Sequence, residues 1–409
     1  MQRVSLLVSG WFILIPLFSQ PDDSDKIQLL VNKIFPEVCE LMQCPHEPPP
    51  QVELMQKDEL VSYLKELLLE DNPDHDLQKR SESLSTLGLL PEKFDLEQAL
   101  IELVGQVAGG LYDYRTKKVF WLESLVPEEK RNINDQMILA HELTHAFQDR
   151  RLDFKNRWKA LRENIDKEYA FRGLIEGMAS LIMIAYASHV AIGQVPDLKN
   201  FWRSSFYQGN PPYTSGNDYI REYLISAYAE GGAFVQAWIG EHPGRSLSLL
   251  FDRPPVTSEQ VLHYEKYREM DLPEKFDFTC LSKIVPSGWR VFYQNTLGEF
   301  DLWQLFLANE KTREQAPVLA SGWDGFQFIC WETSRGNKVL AGISEWDSSE
   351  DALEFTEAYT ALLNDKYGEQ AVVVHPSPRT MGFVIGLHGS PQRTEILNAL
   401  SELSDQILE

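Results

Sequence analysis

Basic residues, cysteines and histidines are all scarce in this sequence of 409 residues. It has 38 lysines and arginines against 61 aspartates and glutamates, which gives a net charge of −23. That excess of negative charge argues against nucleic acid or an anionic membrane surface as a partner. No two of the four cysteines are spaced as CxxC, so a structural zinc site built from them is not expected.

The cysteines leave two interpretations open. Their number is even, which fits two disulfides in an oxidising compartment. Cys39 and Cys44 would then close a short loop, and Cys280 and Cys330 would join two parts of the C-terminal region. Four reduced and buried thiols are an equal alternative, because a sequence does not fix connectivity.

The first 20 residues have the pattern of a secretory signal peptide. A basic start at Arg3 precedes an apolar run over residues 4–18, and polar residues follow from Ser19. The run is shorter than the roughly 20 residues of a transmembrane helix, so we predict a secreted, periplasmic or cell-surface protein. An uncleaved N-terminal anchor is the alternative. No later stretch is expected to span a bilayer; the nearest, residues 174–190, contains Glu176.

Although the chain has only nine histidines, two of them belong to the string His141-Glu142-Leu143-Thr144-His145. Residues four apart lie on one face of an α-helix, so both imidazoles can reach one metal ion. The glutamate after the first histidine can then act as general base on a water at that metal. The spacing therefore predicts a zinc site with His141 and His145 as ligands. The alternative is a pair of histidines at the surface or in the core.

The residues around this motif predict a helix over 132–151. Asn132, Asn134 and Asp135 are N-cap candidates and place negative charge in the first turn. Apolar residues then recur at helical spacing, and neither glycine nor proline interrupts the stretch.

A zinc ion held by two histidines and a water needs a third protein ligand. The metzincin pattern is excluded, because its glycine and histidine positions hold Gln148 and Arg151. Glu176 is the best candidate, since it lies in an apolar helical run over 166–190 and a buried acid needs a partner. Two neighbouring glycines, 173 and 177, cost about 1 kcal/mol each in a helix, so we expect close contact with the metal helix to compensate. A solvent-facing Glu176 is the alternative, and the substitute ligand, Glu168, has the pattern of an exposed face.

These motifs resemble those of gluzincin-type zinc metallopeptidases, and more closely a group of exported gluzincin-like proteins. The segments that carry the resemblance are a Gly-Leu-Tyr-Asp-Tyr element, a short strand, the HELTHA helix, an EGxA helix, a Tyr-x-x-Gly-x-x-Phe element and a Pro-Pro segment ending in histidine. In this chain they are residues 110–114, 119–122, 141–146, 176–179, 228–234 and 254–263.

The resemblance implies a zinc-dependent peptidase with a zincin-like fold. Zn²⁺ would be bound by His141, His145 and Glu176, and Glu142 would be the general base. Relatives use a tyrosine or histidine to stabilise the oxyanion, for which the candidates are Tyr228 and His263. Asp149 would hydrogen-bond a ligating imidazole, with a surface charge as its alternative.

Four regions are predicted along the chain, and together they indicate an α+β fold. They are the signal peptide (1–20), a helical region (21–100), a mainly helical zincin-like domain (101–275) and a C-terminal α+β domain (276–409). In the last, short apolar runs at 325–331, 338–343 and 370–374 predict strands, and 349–363 and 392–408 predict helices. A turn is expected at 322–325.

The predicted partner is a peptide or protein substrate, with no membrane contact beyond the N-terminal anchor. Two rivals remain: a catalytically inactive zincin-fold surface or binding protein, and a zinc hydrolase acting on a non-peptide amide. The intact Glu142 favours catalysis over the first rival.

Overall fold

The computed structural model describes residues 21–107, 109–122, 133–207, 217–285 and 287–405. Within them the chain has the predicted α+β fold: helices dominate up to residue 285, and a five-stranded sheet with its own helices follows. The predicted signal peptide lies outside the described residues.

The N-terminal region is helical, as predicted, and also contributes to a small sheet. Helices α1 to α4 span Pro21–Leu41, Lys57–Asp71, Asp76–Leu87 and Leu96–Val107. Strands β1 to β3 span Gln51–Met55, Gly110–Asp113 and Lys118–Leu122. Their order is β1-β3-β2, with β1 parallel and β2 antiparallel to β3, the strand predicted at 119–122. The edge strand β2 packs on the next helix, α5.

Among the described residues, seven α-helices form the middle of the molecule. Helices α5 to α11 span Ile133–Leu152, Phe154–Leu161, Ile165–Ser188, Leu198–Tyr207, Asn217–Glu241, Ser258–Leu262 and Tyr264–Glu269. α7 begins after Asn164, whose side chain accepts a hydrogen bond from the Lys167 N–H, and ends at His189, which has a left-handed φ of 51°. α7 packs against both α5 and α9, so it is the central helix of this layer.

Three glycines allow α7 and α9 to cross closely. A Cβ at Gly177 would lie 2.2 Å from the Gly231 carbonyl carbon, and one at Gly231 would lie 2.0 Å from the Gly173 oxygen. The prediction that the α7 glycines make their close contact with α5 was wrong. Their closest backbone approach is to α9, because α9 has its own glycine, Gly231, at the crossing point.

By length and composition alone, α7 could cross a membrane, contrary to the expectation that no later stretch would qualify. In the apolar part of this helix, 83% of the residues are buried inside the molecule. Its apolar character is therefore accounted for by its position in the core.

The C-terminal region is an antiparallel sheet of order β4-β5-β6-β8-β7 with helices packed against it. Strands β4 to β8 span Trp289–Thr296, Trp323–Thr333, Lys338–Trp346, Ala371–Ser377 and Thr380–Ile385. Helices α12 to α15 span Glu299–Leu307, Ala316–Ala320, Ser349–Tyr367 and Pro391–Asp405. β5, β6, β7, α14 and α15 match predicted elements, while β4 and β8 were not predicted. At the predicted turn Gly322 has a φ of +74°, and a bulge follows between Trp323 and Gly325.

A single apolar core crosses the predicted boundary at residue 276. Phe147 of α5, Tyr169 of α7, Phe300 of α12 and Phe328 of β5 belong to one buried cluster. The rings of Tyr169 and Phe300 stack with centroids 4.3 Å apart. The C-terminal region therefore packs directly, through α12, on the helix that carries Glu176.

All four cysteines are free thiols. The Cys44 thiol donates to the Cys39 carbonyl oxygen at 3.3 Å, so these two residues are neighbours. Cys330 is buried in β5 and Cys280 is exposed, so the predicted link between them is not formed. The alternative, four reduced and buried thiols, agrees with the absence of disulfides but is wrong about burial for Cys280, which is exposed, and Cys44, which is half-buried.

Candidate metal centre

Helix α5 brings the two motif histidines together. His141 and His145 are buried on consecutive turns, and their Nε2 atoms are 3.0 Å apart. Their rings are nearly perpendicular, with centroids separated by 4.6 Å. Both imidazoles therefore direct a nitrogen to the same point.

Glu176 of α7 completes a cluster of three donors. Its Oε2 atom lies 3.2 Å from His141 Nε2 and 3.4 Å from His145 Nε2. Burial would raise the pKa of Glu176, but the charge on His145 and the hydrogen bond from His141 hold it well below its ordinary value. Burial would lower the pKa of His145, which the Glu176 carboxylate raises to about 9. These three groups interact strongly even without an ion.

The donor set fits a zinc ion. The three ligand atoms lie within 4.8 Å of one another. Tetrahedral zinc with bonds of about 2.0–2.2 Å holds its ligand atoms roughly 3.3–3.5 Å apart, close to the separations found here. Two imidazoles, one carboxylate and an open fourth position are the ligand set of a catalytic zinc site.

Gln148 fixes the orientation of His145. Its side-chain Nε2 donates to the Ile175 carbonyl at 3.0 Å, which leaves its Oε1 atom as an acceptor 2.8 Å from His145 Nδ1. The Nδ1 proton of His145 is therefore held by Gln148, so a metal ion that displaces the other ring proton would bind at Nε2. From the sequence alone, Gln148 is noted as the residue that stands in place of the metzincin glycine. Its spacing of three residues from His145 was the signal that could have identified it.

Strand β2 holds the predicted general base, Glu142. The Tyr112 N–H donates to Glu142 Oε2 at 2.7 Å, and the side chain is buried beside the cluster. Gly110 on this strand leaves room for the glutamate, since a Cβ there would lie 3.0 Å from Glu142 Cγ. Because the Tyr112 donor is a backbone group, no side-chain pattern could have predicted this contact.

Asp149 does not contact an imidazole, and both expectations for it were wrong. It is buried, and it accepts hydrogen bonds from the Tyr112 hydroxyl at 2.7 Å, Lys117 Nζ at 2.6 Å and the Phe154 N–H at 2.9 Å. It thus ties β2 to α5 through the Tyr112 hydroxyl.

Tyr228 of α9 lies against the cluster, whereas His263 lies elsewhere. The Tyr228 ring stacks on His141, and its pKa is raised well above the ordinary value by burial and by the charges on Glu176 and Glu142. Its hydroxyl is therefore protonated at neutral pH and can donate. His263 is paired with Glu299 at 2.8 Å and is 40% exposed. The structure thus brings Tyr228, but not His263, next to the three donors.

Glu168 is not the exposed residue that its sequence context indicated. Its Oε2 accepts from Arg80 Nη1 at 2.8 Å, and its Oε1 accepts from the Tyr223 hydroxyl at 3.0 Å. It is therefore an ion-pair partner and does not belong to the three-donor cluster.

Comparison with known proteins gives one match. Residues 290–402 match a family described as a domain of unknown function, DUF8575. The match covers less than a third of the chain and contains none of the cluster residues. No curated protein and no solved structure matches the chain.

Proposed function

We propose that this protein is an exported, zinc-dependent metallopeptidase of the gluzincin type. The proposal rests on one observation: His141, His145 and Glu176 lie together, and beside them Glu142 is held by the Tyr112 N–H of β2. An ion-binding protein needs the three donors but has no use for a carboxylate held against its own backbone at the edge of the site.

Each group has a defined task in amide hydrolysis. A zinc ion held by His141, His145 and Glu176 supplies a Lewis acid that polarises the substrate carbonyl and lowers the pKa of a water. Glu142 accepts the proton of the attacking water and passes it to the leaving amine. The Tyr112 N–H bonds to Glu142 Oε2 and restrains the carboxylate, whose Oε1 takes no part in that bond and can accept the proton.

Tyr228 is the candidate donor to the oxyanion. The stacked ring fixes its direction, and the raised pKa keeps its proton in place. A single such donor contributes about 10²–10³ in rate. His263 would have to move from Glu299 to take this role, so we assign the role to Tyr228.

The proposal is tested with purified protein, zinc analysis and a degenerate peptide library read by mass spectrometry. The comparison is between wild type, Glu142→Gln and, as a control, Glu163→Gln, which changes an exposed acid in the same way. We expect one zinc per chain in all three, and cleavage by wild type and the control only. If all three proteins retain zinc and none cleaves a peptide, the result favours a catalytically inactive binding protein.

A further inference from the structure

A stripe of charged side chains reaches solvent along α7. Every residue from Tyr169 to Tyr186 is buried except Arg172 and Glu176, which are spaced four apart. Glu168, four residues earlier, is also only half-buried. Residues at this spacing lie on one face of a helix, so the partly exposed side chains of Glu168, Arg172 and Glu176 follow one another along the same face of α7.

Aromatic rings flank Arg172. Its guanidinium carbon lies 4.9 Å from the Trp158 ring centroid and 5.6 Å from that of Tyr223. Its side chain is 26% exposed. These contacts hold a charged, planar donor group beside the candidate metal centre with one part open to solvent.

The hydrogen-bonding capacity of Arg172 is not used up. Its only ion-pair partner among the described residues is Glu168, at 3.6 Å, which is beyond hydrogen-bond distance. Both Glu168 oxygens already have closer donors, Arg80 and Tyr223. In addition, Arg172 Nε is buried without a hydrogen-bond partner.

Glu168 is the one carboxylate in an ion pair with Arg172 among the described residues, and it is shared with Arg80. The next acid on α7, Glu176, forms ion pairs with the two histidines. An anion beside Arg172 would satisfy donors that Glu168 does not reach.

From this arrangement we infer that Arg172 is a substrate-binding residue that recognises a carboxylate of the peptide. The inference rests on the proposed function and names its substrate class. Four helical residues span about 6 Å along the axis, and an extended peptide advances about 3.3 Å per residue. The recognised carboxylate therefore lies about two residues from the scissile bond. It is either the C-terminal carboxylate or an acidic side chain.

Equilibrium dialysis against zinc-loaded Glu142→Gln protein, which does not turn substrate over, tests this inference. The probes are N-acetylated degenerate tetrapeptide pools, one with free C-terminal carboxylates and one with carboxamides, neither containing acidic side chains. Two further carboxamide pools contain Glu or Gln at a fixed position. We expect about tenfold stronger retention of the free-acid pool over its carboxamide, or of the Glu pool over the Gln pool. The first result assigns a C-terminal carboxylate, the second an acidic side chain.

A second comparison assigns the preference to Arg172. Arg172→Met should remove it, whereas Arg157→Met, which removes an exposed arginine on α6, should not. If the two pools of each pair are retained equally, or if no pool is retained, the inference is overturned and no variant needs to be measured. Hydrolysis by wild type together with equal retention overturns the inference alone. Carboxylate-dependent retention without hydrolysis by wild type overturns only the proposed function.

Discussion

The ring of Tyr228 lies nearly parallel to the imidazole of His141, with 13° between their planes and 5.6 Å between their centroids. The two residues come from α9 and α5, so this stacking joins the candidate oxyanion donor to a candidate metal ligand.

Tyr228→Phe keeps the ring and removes only the hydroxyl. We expect kcat to fall by about a hundred- to a thousandfold while KM and zinc content change little, because the hydroxyl acts on charge that develops during the reaction. Steady-state kinetics with a fluorogenic peptide measures this. Tyr264→Phe, which removes a hydroxyl bonded to Glu241 instead, is the matched control. An unchanged kcat in Tyr228→Phe would assign the ring a packing role only.

Gln148→Leu removes the acceptor that holds the His145 proton on Nδ1. We expect zinc affinity to fall by about 10–100-fold, as for other residues that orient a ligating histidine. Competition with a fluorescent zinc chelator gives the dissociation constant. Gln148→Glu retains the acceptor and should lose less affinity than Gln148→Leu. Equal losses in the two variants would contradict the role assigned to this hydrogen bond.

Gly177→Ala tests the crossing of α7 and α9. Alanine normally stabilises a helix by about 1 kcal/mol over glycine, but here its Cβ would overlap the Gly231 backbone. We expect a net loss of about 2 kcal/mol or more and a lower melting temperature. Gly240→Ala on α9, where a Cβ meets nothing within 4 Å, should be neutral or stabilising. Similar melting temperatures for the two variants would show that the helices separate easily.

Asp166→Asn tests the buried acid at the start of α7. Its Oδ1 accepts from the Ser258 N–H, and burial, together with the charges on Asp301 and Glu299, raises its pKa to about 7. The folded protein therefore keeps this proton up to about pH 7, whereas an unfolded aspartate loses it near pH 4. Stability present at pH 4 is lost as the pH rises through 7, because the native state binds more protons in that window.

Asp166→Asn should reduce this dependence of stability on pH and stabilise the protein at pH 8 by about 1–3 kcal/mol. Melting temperatures from pH 4 to 8 measure the effect. Glu357→Gln, a change to an exposed acid, is the control. If the change of melting temperature with pH is the same in Asp166→Asn and wild type, Asp166 is charged in the folded protein.

Features set by local spacing were predictable from the sequence. The HExxH spacing places two imidazoles on one helical face whatever the fold, and an acid inside an apolar helix needs a partner, which led to Glu176. The α+β class followed from the change in apolar pattern after residue 275. The order of two strands and a helix in β5, β6 and α14 was predicted from the same pattern.

Features set by tertiary contact were not predictable. The glycines of α7 indicated a close crossing but not which helix would be crossed. The pairing of His263 with Glu299 joins residues whose local sequences carry no common pattern. The Glu142 contact with Tyr112 uses a backbone N–H, which every residue except proline possesses.

Gln148 contacts both halves of the candidate site, since it bonds to His145 on α5 and to the carbonyl of Ile175, the residue before Glu176 on α7. The bond to Ile175 crosses from α5 to α7, so sliding of one helix against the other would break it. This bond therefore restrains the donors relative to one another before an ion binds. Less conformational entropy is lost on binding, and a metal-free form should keep the same arrangement of helices.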